Sequence, residues 1–349
     1  RKELLRFNNV FQTKGSAAVL MNIDNGNILS LVSLPDFDPN KRKNIKDKNY
    51  INKITKGVYE LGSVFKTFTL AAALDENLIE VDTKFLDLKK SIVCGKNTIR
   101  EYDKKIPKDL TAEEILIRSG NIGSVRIGQK IGIEKFKSFL KKINVINQIE
   151  FDIDEMGVPI PFKWGKCKLA TISFGHGITT TPLQLAKGYA IISNGGFEIN
   201  PTIIRKNKKR LIKYKKRIIK ENVSKEINPI LRKIVTSKEG TANLADIKGY
   251  EIGGKTGTAE KIILGKYSSK KKINTFASVF PISNPKFVLV VILDEPQINT
   301  EYIYNYRDGS NFKLKGSPRN TSGWTSVEAA GHIVEKIGPI LATKYLEIN

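Results

Sequence analysis

Apolar and polar positions group into two clusters of strand-like runs at opposite ends of the chain. Residues 17–23 (AAVLMNI) and 27–34 (NILSLVSL) flank Asp24-Asn25-Gly26, where glycine supplies the positive φ of a tight hairpin. Toward the other end, residues 250–263, 275–281 and 286–294 read as strands, divided by polar or proline-containing turns such as Ile282-Ser283-Asn284-Pro285. Together these runs predict one five-stranded, mainly antiparallel sheet built from sequence-distant segments. The expected fold class is therefore α/β in the α+β sense, with helices flanking the sheet and a large helical insertion. Residues 1–35 and 236–349 are expected to form the sheet subdomain, and residues 36–235 a mainly helical one.

The middle of the chain carries helical signals. Residues 64–78 are apolar and alanine-rich, and residues 112–118 follow the capping pattern Thr111-Ala112-Glu113-Glu114. Thr181-Pro182 opens a run over 183–193 that stops at Asn194-Gly195-Gly196. A last helix is expected over about 326–341, with Val327, Ala330, Ile333, Val334 and Ile337 on the face that packs on the sheet. The longest apolar run, 287–293, is seven residues, a buried strand rather than a membrane span.

Composition alters this picture little. At 349 residues and 40% hydrophobic content the chain has enough apolar side chains for a sizeable core. A formal charge of +24 raises nucleic-acid binding, but lysine is spread along the chain and no zinc-finger or RNA-binding signature accompanies it. The one dense run, 206–220, has nine basic residues in fifteen and reads first as a solvated hairpin, second as a surface for anionic lipid or wall polymer. Cys94 and Cys167 are too few for a disulfide framework and lie in no metal or redox spacing. His176 and His332 lack the local motif of a serine triad. The chain opens at Arg1 without initiator Met, signal peptide or anchor, so a fragment of a longer protein is expected.

The chemistry begins at Ser63-Val64-Phe65-Lys66, where Gly62 gives way to a helix. There the Ser63 hydroxyl lies at the positive end of the helix dipole, with Lys66 one turn on along the same face. A serine hydroxyl needs a base, and a lysine serves as one only when burial or a neighbouring cation keeps it neutral. Ser-x-x-Lys alone carries little, since it recurs at Ser138, Ser268, Ser269, Ser283 and Ser310. Ser119-Gly120-Asn121, the only Ser-x-Asn, and Lys255-Thr256-Gly257-Thr258, the only Lys-Thr-Gly, supply the context.

These three motifs in this order resemble class B penicillin-binding proteins, most of all the septal, division-specific members. Residues 57–62, Phe174-Gly175-His176-Gly177, Thr181-Pro182-Leu183-Gln184, residues 253–260 and the opening hairpin through Asn40 extend the resemblance over nearly the whole chain. It implies a serine-type D,D-transpeptidase that forms a Ser63 acyl-enzyme with a D-Ala-D-Ala stem peptide, releases D-Ala and passes the acyl group to a neighbouring amine. Lys66 would be the base, Ser119 the proton relay and Lys255 a nearby positive charge. Asn121 would hold the donor backbone and Thr256 and Thr258 its carboxylate, while Gly62 and Gly257 are expected where a side chain would crowd the bound peptide or the turn. The backbone N–H groups of Ser63 and Thr258 would form the oxyanion hole. The resemblance implies no cofactor and no metal. As partners it implies peptidoglycan stem peptides, β-lactam antibiotics and other wall-synthesis or divisome proteins, with no nucleic acid. It places the enzyme on the periplasmic face of the inner membrane, held by an anchor outside this chain.

The chain departs from the family pattern at Gly120, where Ser is commoner, at 324–328, which lacks a usual proline, and in the length of the basic run. A β-lactamase or D,D-carboxypeptidase on the same fold is the nearest rival, and no Glu-x-x-Leu-Asn is present to activate a deacylating water. An idle binding scaffold would not need Ser63, Lys66, Ser119 and Lys255 together. His176 is expected to be a structural hydrogen-bonder at the edge of the site.

Overall fold

The computed structural model describes residues 1–38, 40–41, 50–95, 97–204 and 216–345. The predicted hairpin forms as β1 (Gly15–Asn22) and β2 (Ile28–Leu34), and three later strands join it: β5 (Gly253–Ile263), β6 (Lys266–Phe280) and β7 (Phe287–Asp294). Between the two groups lies a small hairpin, β3 (Ser91–Cys94) and β4 (Asn97–Arg100). The main sheet runs β2-β1-β7-β6-β5 with every pairing antiparallel. Register pairs Val19 with Val290, Val290 with Ala277, and Ala277 with Lys255, so one row of the sheet ends on the lysine of the third motif.

Every residue of β1 and all of β7 except Asp294 is buried, as expected of central strands covered on both faces. Helix α1 (Lys2–Val10) packs on β1 and on the C-terminal helix α9 (Ser326–Tyr345), which also covers β6 and β7. Helix α7 (Pro182–Ser193) packs against β1, β6 and β7 and is buried all round. Its start is fixed locally, because Thr181 and Gln184 form a reciprocal capping box and Pro182 sits in the first turn.

The helical part is organised around α2 (Lys66–Asp75), which continues a 3₁₀ turn over Gly62–Phe65 and buries all ten of its residues. A helix buried on every side belongs to a core, and α3 (Ala112–Ile117), α4 (Asn121–Ile131), α5 (Ile133–Lys142) and α8 (Glu221–Thr236) surround it. Helix α6 (Lys166–Ile172) packs on α4.

Two expectations need correction. Strand β6 begins at Lys266, not near 275: its lysine-rich first half pairs with 261–263 beyond a bulge after Glu260, so the hairpin extends past the sheet. The two cysteines are not left apart. Cys94 at the tip of β3 is bonded to Cys167 in α6, a tether between the small hairpin and the helical core. The basic run lies outside the described residues as far as 215; beyond it, Arg217 stacks on Phe197 and pairs with Glu221.

Candidate active site

Helix α3 ends in a Schellman turn that sets the geometry of the Ser-x-Asn motif. The Ser119 N–H donates to Leu116 O at 3.2 Å and the Gly120 N–H to Ile115 O at 2.9 Å. This closure requires a left-handed residue at 119, a place usually taken by glycine, yet Ser119 occupies it at φ +58°. A non-glycine residue held there costs on the order of 1 kcal/mol or more, a strain that clusters at functional sites. The turn buries the Ser119 hydroxyl and aims it at two ammonium groups: Lys255 Nζ at 2.8 Å and Lys66 Nζ at 3.2 Å.

Lys66 also donates to Ser119 O and, at 2.7 Å, to Asn121 Oδ1. The Asn121 amide is thereby engaged at both ends, since its Nδ2 donates to Arg100 O at 2.8 Å. Lys255 reaches Thr256 O at 3.2 Å, and the Thr256 hydroxyl shares a 2.7 Å bond with Thr241, a residue the sequence did not single out. Thr258 Oγ1 accepts from the Ser322 N–H at 3.0 Å, which leaves its own proton free to donate toward the cleft. Ser63 is half-buried at the 3₁₀ turn, and its hydroxyl has no hydrogen-bond partner among the described residues. Lys66 therefore faces Ser119 and Asn121 in the resting site rather than bonding Ser63.

Burial lowers the Lys66 ammonium to about 7, against a smaller opposing pull from Glu101. Burial likewise pushes Lys255 well below the usual lysine range, with repulsion from Lys66 as the second cause. Of the two influences expected to neutralise Lys66, burial and a second cation, burial is the one that lowers it, and the charge acting on it is that of Glu101.

Strand β5 is the outer strand of the sheet, and its backbone lies directly against the nucleophile turn. A Cβ at Gly257 would stand 2.1 Å from Leu61 O, and one at Gly62, itself at φ +68°, would stand 2.9 Å from Thr258 O. Of the two places where a side chain was expected to crowd, the bound peptide or the turn, these distances fall at the turn: the glycines permit contact between the two backbones. Gly257→Ala is expected to cost about 1–3 kcal/mol through overpacking and to slow acylation, because the carbonyl it meets cannot rotate away. Paired melting curves and labelling rates measure this, and a variant equal to wild type in both would show that the strand yields freely.

His176 is a stacking residue rather than a hydrogen-bonder. Its ring lies 4.4 Å from that of Tyr267 and 5.8 Å from Phe174, while its nearest Glu60 oxygen is 3.9 Å away, beyond bonding distance. Burial lowers its pKa, so the ring is neutral near pH 7. Glu60 instead accepts from the Gly177 N–H and the Tyr267 hydroxyl, both at 3.0 Å, pinning the extended β5–β6 hairpin beside the site. His332 sits on α9 with Glu328 and Phe7 as neighbours.

The structure brings Lys66, Ser119, Asn121, Lys255 and Thr256 into one bonded cluster and sets Gly257 and Thr258 against the turn that carries Ser63. The sequence did not point to Glu101, Arg100, Thr241 or Ser322. Each acts through a contact distant in the chain, and the only local hint was a glycine, a weak cap, at the start of α4.

The family model for the penicillin binding protein transpeptidase domain matches residues 16–311. The chain is 31% identical over 350 residues to a probable peptidoglycan D,D-transpeptidase FtsI of Caulobacter vibrioides, covering 98% of this chain and 56% of that protein. It is 33% identical over 301 residues to stage V sporulation protein D of Bacillus subtilis, covering 82% and 46%. The chain thus spans about half the length of these curated relatives. Among solved structures, the transpeptidase domain of Burkholderia pseudomallei penicillin-binding protein 3 superposes with a TM-score of 0.79 at 24% identity, covering 99% of this chain and 93% of that one. Mycobacterium tuberculosis penicillin-binding protein 3 in complex with aztreonam gives 0.80 at 21% identity, covering 97% and 76%.

Proposed function

The chain belongs to the penicillin-binding protein transpeptidase family, and from that premise we propose that it is a peptidoglycan D,D-transpeptidase with Ser63 as its nucleophile. The observation that carries this reading is the Ser119 hydroxyl held between two buried lysines beside the Ser63 turn. Neutral Lys66 takes the Ser63 proton as Oγ attacks the carbonyl of the penultimate D-Ala. The N–H groups of Ser63 and Thr258 receive the oxyanion, a contribution of ~3–4 kcal/mol per donor in comparable sites. As the C–N bond breaks, Ser119 hands the proton from Lys66 to the departing D-Ala amine. An amine of a second stem peptide then attacks the acyl-enzyme, its proton returns by the same relay, and Ser63 is freed.

The substrate's terminal carboxylate is held by Lys255 and the Thr256 and Thr258 hydroxyls, and its arrival favours the charged form of Lys255 that burial otherwise opposes. Asn121 contributes chiefly by fixing Lys66 and, at its exposed edge, by meeting the donor backbone. The division of the chain into a sheet part, 1–35 with 236–349, and a helical part, 36–235, sets the cleft between β5 and α2. Among the described residues no helix is long and apolar enough to cross a membrane. The whole protein is proposed to be anchored by a segment outside this chain, to face the periplasm and to work with division partners.

β-Lactams mimic the D-Ala-D-Ala end, so penicillin is expected to leave a single adduct on Ser63. With no Glu-x-x-Leu-Asn in the sequence to supply a base for water, that adduct should last many minutes. Intact-mass and peptide mass spectrometry over a time course is the test. Rapid turnover of penicillin would assign the protein to the β-lactamases, and an adduct elsewhere would remove Ser63 from its role.

A further inference from the structure

Helix α4 starts one residue after the Schellman turn, and its cap residue is Gly120, which has no side chain to satisfy the first N–H groups. Those donors are not left open. The Asn121 N–H donates to Glu101 Oε2 at 2.7 Å and the Ile122 N–H to Glu101 Oε1 at 2.8 Å. Both carboxylate oxygens are used, in charge-assisted bonds at the positive end of the helix dipole. Glu101 follows directly on β4, and its own N–H is fixed to Lys90 O at the base of the hairpin. The preceding carbonyl, Arg100 O, takes the Asn121 amide. The hairpin is pinned at its other end by Cys94–Cys167.

We propose that Glu101 is a positioning residue of the acylation site: as a cap supplied from the β3–β4 hairpin, it holds the turn that carries Ser119 and Asn121 around Lys66. The inference rests on the transpeptidase reading above. Two properties follow from the carboxylate. It orders Asn121, whose Oδ1 is one of three acceptors for Lys66, and its negative charge acts on Lys66 from the α4 side, while Lys66 in turn acts on Lys255 in β5. Loss of the carboxylate should therefore both loosen the relay and let Lys66 give up its proton at lower pH. A residue that only stabilised the fold would do neither selectively.

The site also offers a rescue. Gly120 has φ −63° and ψ 127°, the extended geometry of a cap residue, and a Cβ added there would meet nothing closer than Glu101 Oε1 at 3.6 Å. Gly120→Ser would thus restore a cap within the chain without strain. The experiment measures the second-order rate of labelling by a fluorescent penicillin across about pH 6 to 9. It compares wild type, Glu101→Gln, Glu101→Ala and Glu101→Ala with Gly120→Ser, with melting curves for each.

Wild type must first label at Ser63; if it does not, the transpeptidase reading fails before Glu101 is judged. With wild type active, Glu101→Ala is expected to label about 10- to 100-fold more slowly, the loss typical of charge-assisted bonds. The acid limb should move to lower pH in both Glu101→Gln and Glu101→Ala, and the double variant should recover rate without recovering the limb. Should Glu101→Ala melt too low to assay, Glu101→Gln decides by the limb alone. Labelling at the wild-type rate, or an unmoved limb with only a lower melting temperature, overturns the proposal.

Discussion

Ser63→Ala is expected to abolish penicillin labelling while leaving the fold intact. The hydroxyl has no hydrogen-bond partner among the described residues, so its removal strands no buried group. Alanine keeps the Cβ, and the turn is set by the close backbone contact of Gly62 with Thr258, which the substitution does not touch. Loss of a nucleophile from an intact acyl-transfer site costs on the order of 10⁶-fold in rate, which here means no adduct on any practical time scale. Melting temperature should stay within the small range of a half-buried surface change. Labelling of the alanine variant at normal stoichiometry would place the nucleophile elsewhere.

Lys66→Met should rank next, with a fall of about 10²- to 10⁴-fold, the range for a general base. In wild type the labelling rate should rise with pH through a midpoint near 7, because burial lowers Lys66 to about 7 and only the neutral amine accepts the Ser63 proton. Stability carries the matching sign. The folded-state value lies below that of the unfolded chain, so the unfolded chain binds more protons between about pH 7 and pH 10. Stability gained from this group therefore rises with pH across that window, and is least below it. Methionine fills similar volume with no charge to bury but leaves Ser119 O and Asn121 Oδ1 without their donor, so Lys66→Met is expected to lose that part of the slope rather than to gain stability outright. A variant that labels at the wild-type rate, or a wild-type profile flat from pH 6 to 9, would dismiss Lys66 as the base.

How far the chain could be read from its letters follows the range of each signal. The caps at Thr111 and Thr181 sit three residues from their partners and formed as expected. Strands β1 and β7 are runs of apolar residues bounded by turns that form the sheet core, and β2, at the sheet edge and half-buried, was legible through the tight turn that joins it to β1. The lysine-rich start of β6 has no such pattern, since most of its residues are exposed and it is held by pairing with β5 and by the contacts of Tyr267 with Glu60 and His176. Helix α4 lacks a cap of its own, and α8 contains Pro229, so neither announces its boundaries. The motif residues were legible because their order is distinctive. Their support was not: Glu101 lies 20 residues from Asn121, Thr241 15 from Thr256 and Ser322 64 from Thr258. The burial of Lys66 and Lys255 belongs to the same class, since desolvation depends on everything packed around a group.

The bond between Cys94 and Cys167 has a practical side. It closes a span of 73 residues, worth about 4 kcal/mol against the unfolded chain by loop entropy alone. Protein produced among reducing thiols, or purified in dithiothreitol, would be a different reagent from the oxidised form: the hairpin that delivers Glu101 would be held at one end only. A preparation of mixed oxidation state would label in two phases, fast and slow, whose proportions follow the fraction of free thiol. Titrating thiols on each batch before any rate is measured separates sample history from the chemistry of the site.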